Sequence, residues 1–192
     1  MVVGQRRTNQ TGMTLIEVLI AGVVLSIGLL GVFQLHVFSK RSSYASINYS
    51  QATMMAADMV DRIRLNPAQR DNYIFNNYGA ATITLPSKSC NKTSGVINQC
   101  TPTEMTNWDQ YQWDQELSGR SERVGSTNIG VAEDVTGCVF VVGNDVEVVV
   151  SWQGLIGSSD AADRSSANAK SCGTSGNKRR QVVISTVVVA AL

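Results

Sequence analysis

Residues 13–38, MTLIEVLIAGVVLSIGLLGVFQLHVF, form an apolar run with a single carboxylate, Glu17, near its start. From Val18 to Phe33 no charge occurs. At 1.5 Å per residue, about 20 such residues in a helix cross the ~30 Å hydrocarbon core of a bilayer. The twelve residues before the run are polar and carry Arg6 and Arg7. Arginines so placed stay on the cytoplasmic side, which sends the rest of the chain across the membrane. Whole-chain averages conceal this asymmetry. With 192 residues, a net charge of +1, 43% hydrophobic and 16% charged residues, the chain is not of a disordered class. Nor does its charge balance supply an electrostatic footprint for nucleic acid.

An ordinary signal peptide would end its apolar core at a small-x-small exit. Here Val32-Phe33-Gln34-Leu35 continues a helical pattern instead. Arg6-Arg7 suggests a twin-arginine signal, but nothing around the pair supports one. A plain signal anchor fits the hydropathy and leaves Glu17 without a purpose. A carboxylate inside a spanning helix costs about 2.5 to 3.5 kcal/mol, so it is expected to have a partner and a task.

Gly12-Met13-Thr14-Leu15-Ile16-Glu17, followed by the long apolar run, resembles the class III signal of type IV pilins and type II secretion pseudopilins. The resemblance implies cleavage between Gly12 and Met13 by a prepilin peptidase and N-methylation of Met13. Glu17 then becomes the fifth mature residue. The first mature residue in the family is most often Phe, so Met13 departs from the usual pattern. It further implies that the Met13 amine of an incoming subunit pairs with Glu17 of its neighbour, which fixes axial register. Such a pair compensates two charges that are each costly at low dielectric. The competing reading has Glu17 snorkel to the interface with no role in assembly. Loss of the leader, with Arg6 and Arg7, takes the side-chain charge from +1 to −1.

Beyond Gln34 the helical pattern becomes amphipathic. Tyr44, Ile47, Met55, Met59 and Ile63 recur at helical spacing, interrupted by Gln51, with Ser42, Ser43, Ser46, Ser50, Thr53, Asp61 and Arg64 opposite. This predicts one stripe packed on a core. Asp58 and Arg62 are four apart and positioned to pair. The helix should end at Asn66-Pro67, because the residue before proline avoids helical geometry. One helix of about 53 residues, Met13 to Leu65, is therefore expected, with Gly22, Gly28 and Gly31 in its apolar half, where glycine permits close packing or local melting.

After Pro67 the expected elements are short. Thr82 to Leu85 reads as a brief strand. Thr101-Pro102-Thr103-Glu104 is a capping box opening a helix that carries Met105, Trp108 and Leu117 and ends near Ser118-Gly119. Val135 to Val142, Gly143-Asn144-Asp145 and Val146 to Trp152 read as a hairpin. Gln181 to Val189 is a third strand, apolar on both faces and so expected to be central or helix-covered. A Ser/Asp/Asn/Gly-rich loop lies between Gly154 and Arg180. The expected class is α+β: a long N-terminal helix, half transmembrane and half amphipathic, packed on a small antiparallel sheet. Resemblance implies the same pilin layout. The domains follow as residues 1–12, a leader to be removed; 13–38, the spine; 39–66, the amphipathic half; and 67–192, the globular head.

Cys90, Cys100, Cys138 and Cys172 form no CxxC pair, and with one histidine they make no zinc site. An even count in an exported domain points to two disulfides. Four cysteines allow three connectivities. The favoured one is Cys90–Cys100, pinning a short loop, with Cys138–Cys172 tying a strand to the polar loop; the second matches in role the disulfide that brackets a C-terminal loop in the pilin family. His36 reads as an interfacial helix residue rather than a base. Asp109, Asp114 and Glu116 read as a solvated face, Trp108, Tyr111 and Trp113 as core anchors, and Lys178-Arg179-Arg180 as a basic flank of the last strand rather than a DNA contact. No GxSxG, P-loop or HExxH occurs, so no catalytic role, metal or cofactor is expected.

Within the family, Arg41 to Pro67 and the apolar run look closest to minor pilins, and the C-terminal third is also similar. Asp71 to Thr136 matches nothing. The resemblance implies a priming role at the tip of a pilus, with twitching motility and surface attachment following from it. The partners implied are the prepilin peptidase, other minor pilins, the major pilin and a large tip adhesin; DNA is not expected among them. The location implied is the inner membrane with a periplasmic head, then the pilus tip. The alternative is a minor pseudopilin of a type II secretion tip complex.

Overall fold

In the computed structural model, helix α1 runs from Leu15 to Leu65 and stops one residue before Asn66-Pro67. The structure describes residues 12–91, 99–121, 123–125, 127–128 and 132–189. The chain divides into two compact units between Ser43 and Tyr44, so α1 contributes to both. In the first unit every large apolar side chain of the helix is exposed except the half-buried Val37. Ser26 turns its hydroxyl back to the Gly22 carbonyl at 2.7 Å, which satisfies it without solvent.

The second unit is built on a four-stranded antiparallel sheet in the order β1-β4-β5-β6. Strand β1 is Phe75–Tyr78, β4 Glu133–Val142, β5 Asp145–Gln153 and β6 Arg179–Val187. A small separate pair is formed by β2 (Arg123–Val124) and β3 (Thr127–Asn128). The hairpin turns at Gly143, whose positive φ of 62° suits a residue without Cβ. One sheet face, including Val139, Val146, Val148, Val150, Trp152 and Val182, shares a core with Ala52, Ala56, Met59, Val60 and Ile63 of α1. The other face is capped over Cys138 and Val149 by the four-residue helix α3, Ala167–Lys170, and by Cys172.

Four expectations about packing are corrected. The buried stripe of α1 begins at Asn48 and passes through Ala52, Ala56, Met59, Val60 and Ile63, while Tyr44 and Ile47 are exposed. The small Ala52 and Ala56 lie on this buried line together with the larger Met59, Val60 and Ile63. Thr82–Leu85 is no strand; β1 lies earlier, and the Ile83 N–H reaches toward the Asp114 carboxylate at 3.5 Å instead of a neighbouring strand. Strand β6 is an edge strand rather than a central one, since β4, β5 and β6 follow one another as a meander and β1 takes the opposite flank; the alternative expectation, cover by the helix, holds for the face that carries Val182. Its even-numbered residues face the core and Val183 and Val187 stay exposed. Asp109 and Asp114 are not a solvated face; both are buried.

Helix α2, Pro102–Leu117, opens with both halves of the capping box, Thr101 and Glu104. Helix α2 is clamped to α1 by polar groups. Arg62 donates to Asp58 at 2.6 Å, Gln112 at 3.0 Å, and Asp109 and Glu116 at 3.3 Å. Asn66, just past α1, donates to the Pro102 carbonyl at 2.8 Å and to Thr106 at 3.0 Å. The Tyr73 hydroxyl donates to Asp109 at 2.7 Å. Burial raises the pKa of Asp109 and of Glu116, and the Arg62 charge opposes the rise. Trp113 is fully buried and its indole N–H donates to the Met55 carbonyl at 2.9 Å. Tyr111 is half-buried and tilted against Trp108. Gly137 is required here: a Cβ would come within 2.5 Å of Trp113 and Leu117.

Candidate functional site

The residues with a chemical assignment lie at the start of α1. The leader before Gly12 falls outside the described residues. Gly12 is exposed, and a Cβ built on it would meet nothing within 4 Å. Met13 is 72% exposed. The backbone here precedes any helix, and the first turn closes when Glu17 and Val18 donate their N–H groups to the Thr14 carbonyl at 3.1 and 3.3 Å. The peptide bond between Gly12 and Met13 thus lies outside regular structure and is exposed on both sides. Glu17 occupies the first turn of the helix, where a carboxylate complements the positive end of the helix dipole.

From Leu15 to Leu35 every large apolar side chain is exposed, with Leu15 at 83% and Leu30 at 64%. An uninterrupted apolar surface of that extent needs lipid or other subunits around it. Gly22, Gly28 and Gly31 have open space where a Cβ would stand, and glycine at such positions of an apolar helix permits close packing of another helix. His36 is exposed on the same helix. The arrangement supplies no nucleophile and base in contact. It supplies an exposed junction ahead of the helix, one carboxylate and a helical apolar surface.

In the second unit the structure joins Cys90 to Cys100 and Cys138 to Cys172. The loop between β5 and β6 is held by groups that sequence reading treated as a basic flank. Arg179 is buried and donates to Asp160 at 2.7 Å and to the carbonyls of Lys170 and Cys172 at 2.9 and 3.2 Å. Arg180 donates to the Ile156 carbonyl at 2.8 Å. Arg179 is thus an internal fastener and Arg180 ties the loop from the surface, which corrects their reading as a solubilising flank. The hydrogen bond from Arg179 holds the Asp160 carboxyl down at about 2, below the usual carboxylate value of about 3.9. A depressed carboxylate pKa adds stability above the ordinary value and loses it as pH falls through the folded one. Wild type should therefore lose more stability than Asp160→Asn between pH 4 and pH 2, measured as the shift in thermal midpoint. Equal losses in the two proteins would show that the pair carries no stability.

The family model described as type IV pilin Tt1218 matches residues 35–111, and that of the prokaryotic N-terminal methylation motif matches residues 7–33. Together they account for more than half of the chain. No match is found to a curated protein or to a solved structure.

Proposed function

The chain belongs to the type IV pilin family, and from that premise we propose that it is a minor pilin that primes assembly at the tip of a type IV pilus. The observation that carries this reading is the open Gly12–Met13 junction ahead of a helix with Glu17 in its first turn and an exposed apolar surface behind it. Processing by a prepilin peptidase between Gly12 and Met13, with N-methylation of Met13, generates the amine that meets Glu17 of a neighbouring subunit. Before assembly the apolar half of α1 anchors the chain in the inner membrane with its head in the periplasm. The minor role is supported by the resemblance of Arg41 to Pro67 to PilV-type minor pilins. Other minor pilins and the major pilin are the proposed neighbours, a large tip adhesin the proposed cargo, and surface attachment and twitching motility the proposed outcome.

Glu17→Ala should leave the membrane level of the chain unchanged. Its recovery in sheared surface filaments should drop at least about tenfold, the equivalent of ~1.4 kcal/mol. Unchanged recovery would sink the pairing of amine and carboxylate. Deletion of the chain tests the wider role: loss of surface pili supports it, whereas normal piliation with failed secretion of exported enzymes assigns the chain to a type II secretion tip.

A further inference from the structure

Resting on the pilin reading, we propose that the free edge of β6 is a docking strip for an edge strand of a different pilin-fold subunit standing the same way up beside this one. Nine residues of β6 pair with β5 without a register shift, from Asp145↔Val187 to Gln153↔Arg179. The Val188 N–H donates to the Asn144 carbonyl at 2.8 Å, which sets the even-numbered residues toward β5. The N–H and C=O groups of Val183, Ser185 and Val187 therefore point outward. These residues form no other backbone hydrogen bond among the described residues. Natural edges are blunted by lysine, proline, bulges or shortness. From Gln181 to Val187 this one has none of these, and Val183 and Val187 expose apolar side chains beside it.

Direction and area choose the occupant. A second copy paired β6 to β6 would set the head portions of the two α1 helices antiparallel. Their Tyr44 ends would then lie at opposite ends of the pair, whereas subunits anchored in one membrane enter it side by side. In a four-stranded, fully antiparallel sheet the two edge strands run in opposite directions. A neighbour in the same orientation thus brings its far edge to β6 antiparallel, without reversing its helix. This chain's own far edge, β1, has four residues and an irregular register, too little to cover β6. The strip is matched instead by a subunit with a longer edge, carrying β-branched or aromatic residues opposite Val183 and Val187. One strand pair buries far less than the roughly 1,200 Å² of a stable soluble complex, so the contact needs spines already packed together.

The test places a photo-crosslinking amino acid at Val187 of the full chain in piliated cells and identifies the adduct by mass spectrometry. An adduct on an edge strand of another pilin-fold subunit is the expected result. Ser185→Pro in the same chain should lower it at least about tenfold, since it removes an outward N–H and leaves the β5 ladder whole. Recovery of the chain in sheared pili with no adduct, with one only on helices, or with one unaffected by proline would overturn the proposal. Absence of the chain from pili would instead refute the pilus reading beneath it.

Discussion

Asp114→Ala should cost the head about 3 to 5 kcal/mol, the usual penalty for stripping one partner from a buried charge network. Asp114 is completely buried. Its carboxylate accepts the Gly79 N–H at 2.8 Å and the Arg120 guanidinium at 3.1 Å, and the Ile83 N–H approaches at 3.5 Å. Gly79 has a φ of +83° and sits so tightly on α2 that a Cβ would come within 2.8 Å of the Leu117 Cβ. One anion therefore closes the turn after β1 onto α2, and the methyl of alanine would leave a buried amide and a cation unmatched. Denaturant unfolding of the full chain in detergent, followed by tryptophan fluorescence, should show a lowered midpoint at unchanged slope. The half-exposed pair Lys88–Glu104 is the control: Lys88→Ala should cost under about 1 kcal/mol. A loss from Asp114→Ala as small as that would show that solvent reaches the site.

Features set by local chemistry were legible in the sequence. The Gly12 to Glu17 signal, the capping box at Thr101, the glycine turn at 143 and the proline stop at 67 each depend on a few neighbouring residues, and the fold class follows from them. Features set by tertiary contact were not. Asp109 and Asp114 look solvated beside Gln110, Gln112 and Gln115; only the arrival of Arg62 and Tyr73 from elsewhere in the chain makes Asp109 internal. The stripe on α1 is hard to read because alanines carry little hydrophobic weight, yet Ala52 and Ala56 are buried while Tyr44 and Ile47 are exposed. Strand β6, apolar on both faces, reads as central or helix-covered; one face is covered by α1, but its place at the edge is invisible in a valine run. Arg179 stands in a cluster of cations that reads as surface, and its partner Asp160 is nineteen residues earlier.

Removing the Cys138–Cys172 disulfide as Cys138→Ala with Cys172→Ala should destabilise the head by about 4 kcal/mol, against about 3 for the same change at Cys90 and Cys100. The sequence separations are 34 and 10, so the first link removes more freedom from the unfolded chain. Burial widens the difference. Cys138 and Cys172 are both fully buried with Val149 and Ala169 beneath the loop, whereas Cys90 and Cys100 are only partly covered. Helix α3 has four residues, too few to hold itself, and the carbonyl of Cys172 is one of the acceptors that fix buried Arg179. Loss of the link should therefore loosen the loop between β5 and β6 before the sheet melts. Amide exchange of residues 160–178 should accelerate in that variant while β4 and β5 stay protected. If the Cys90 and Cys100 variant proves the less stable of the two, the short loop restrains more of the head than its length and burial imply.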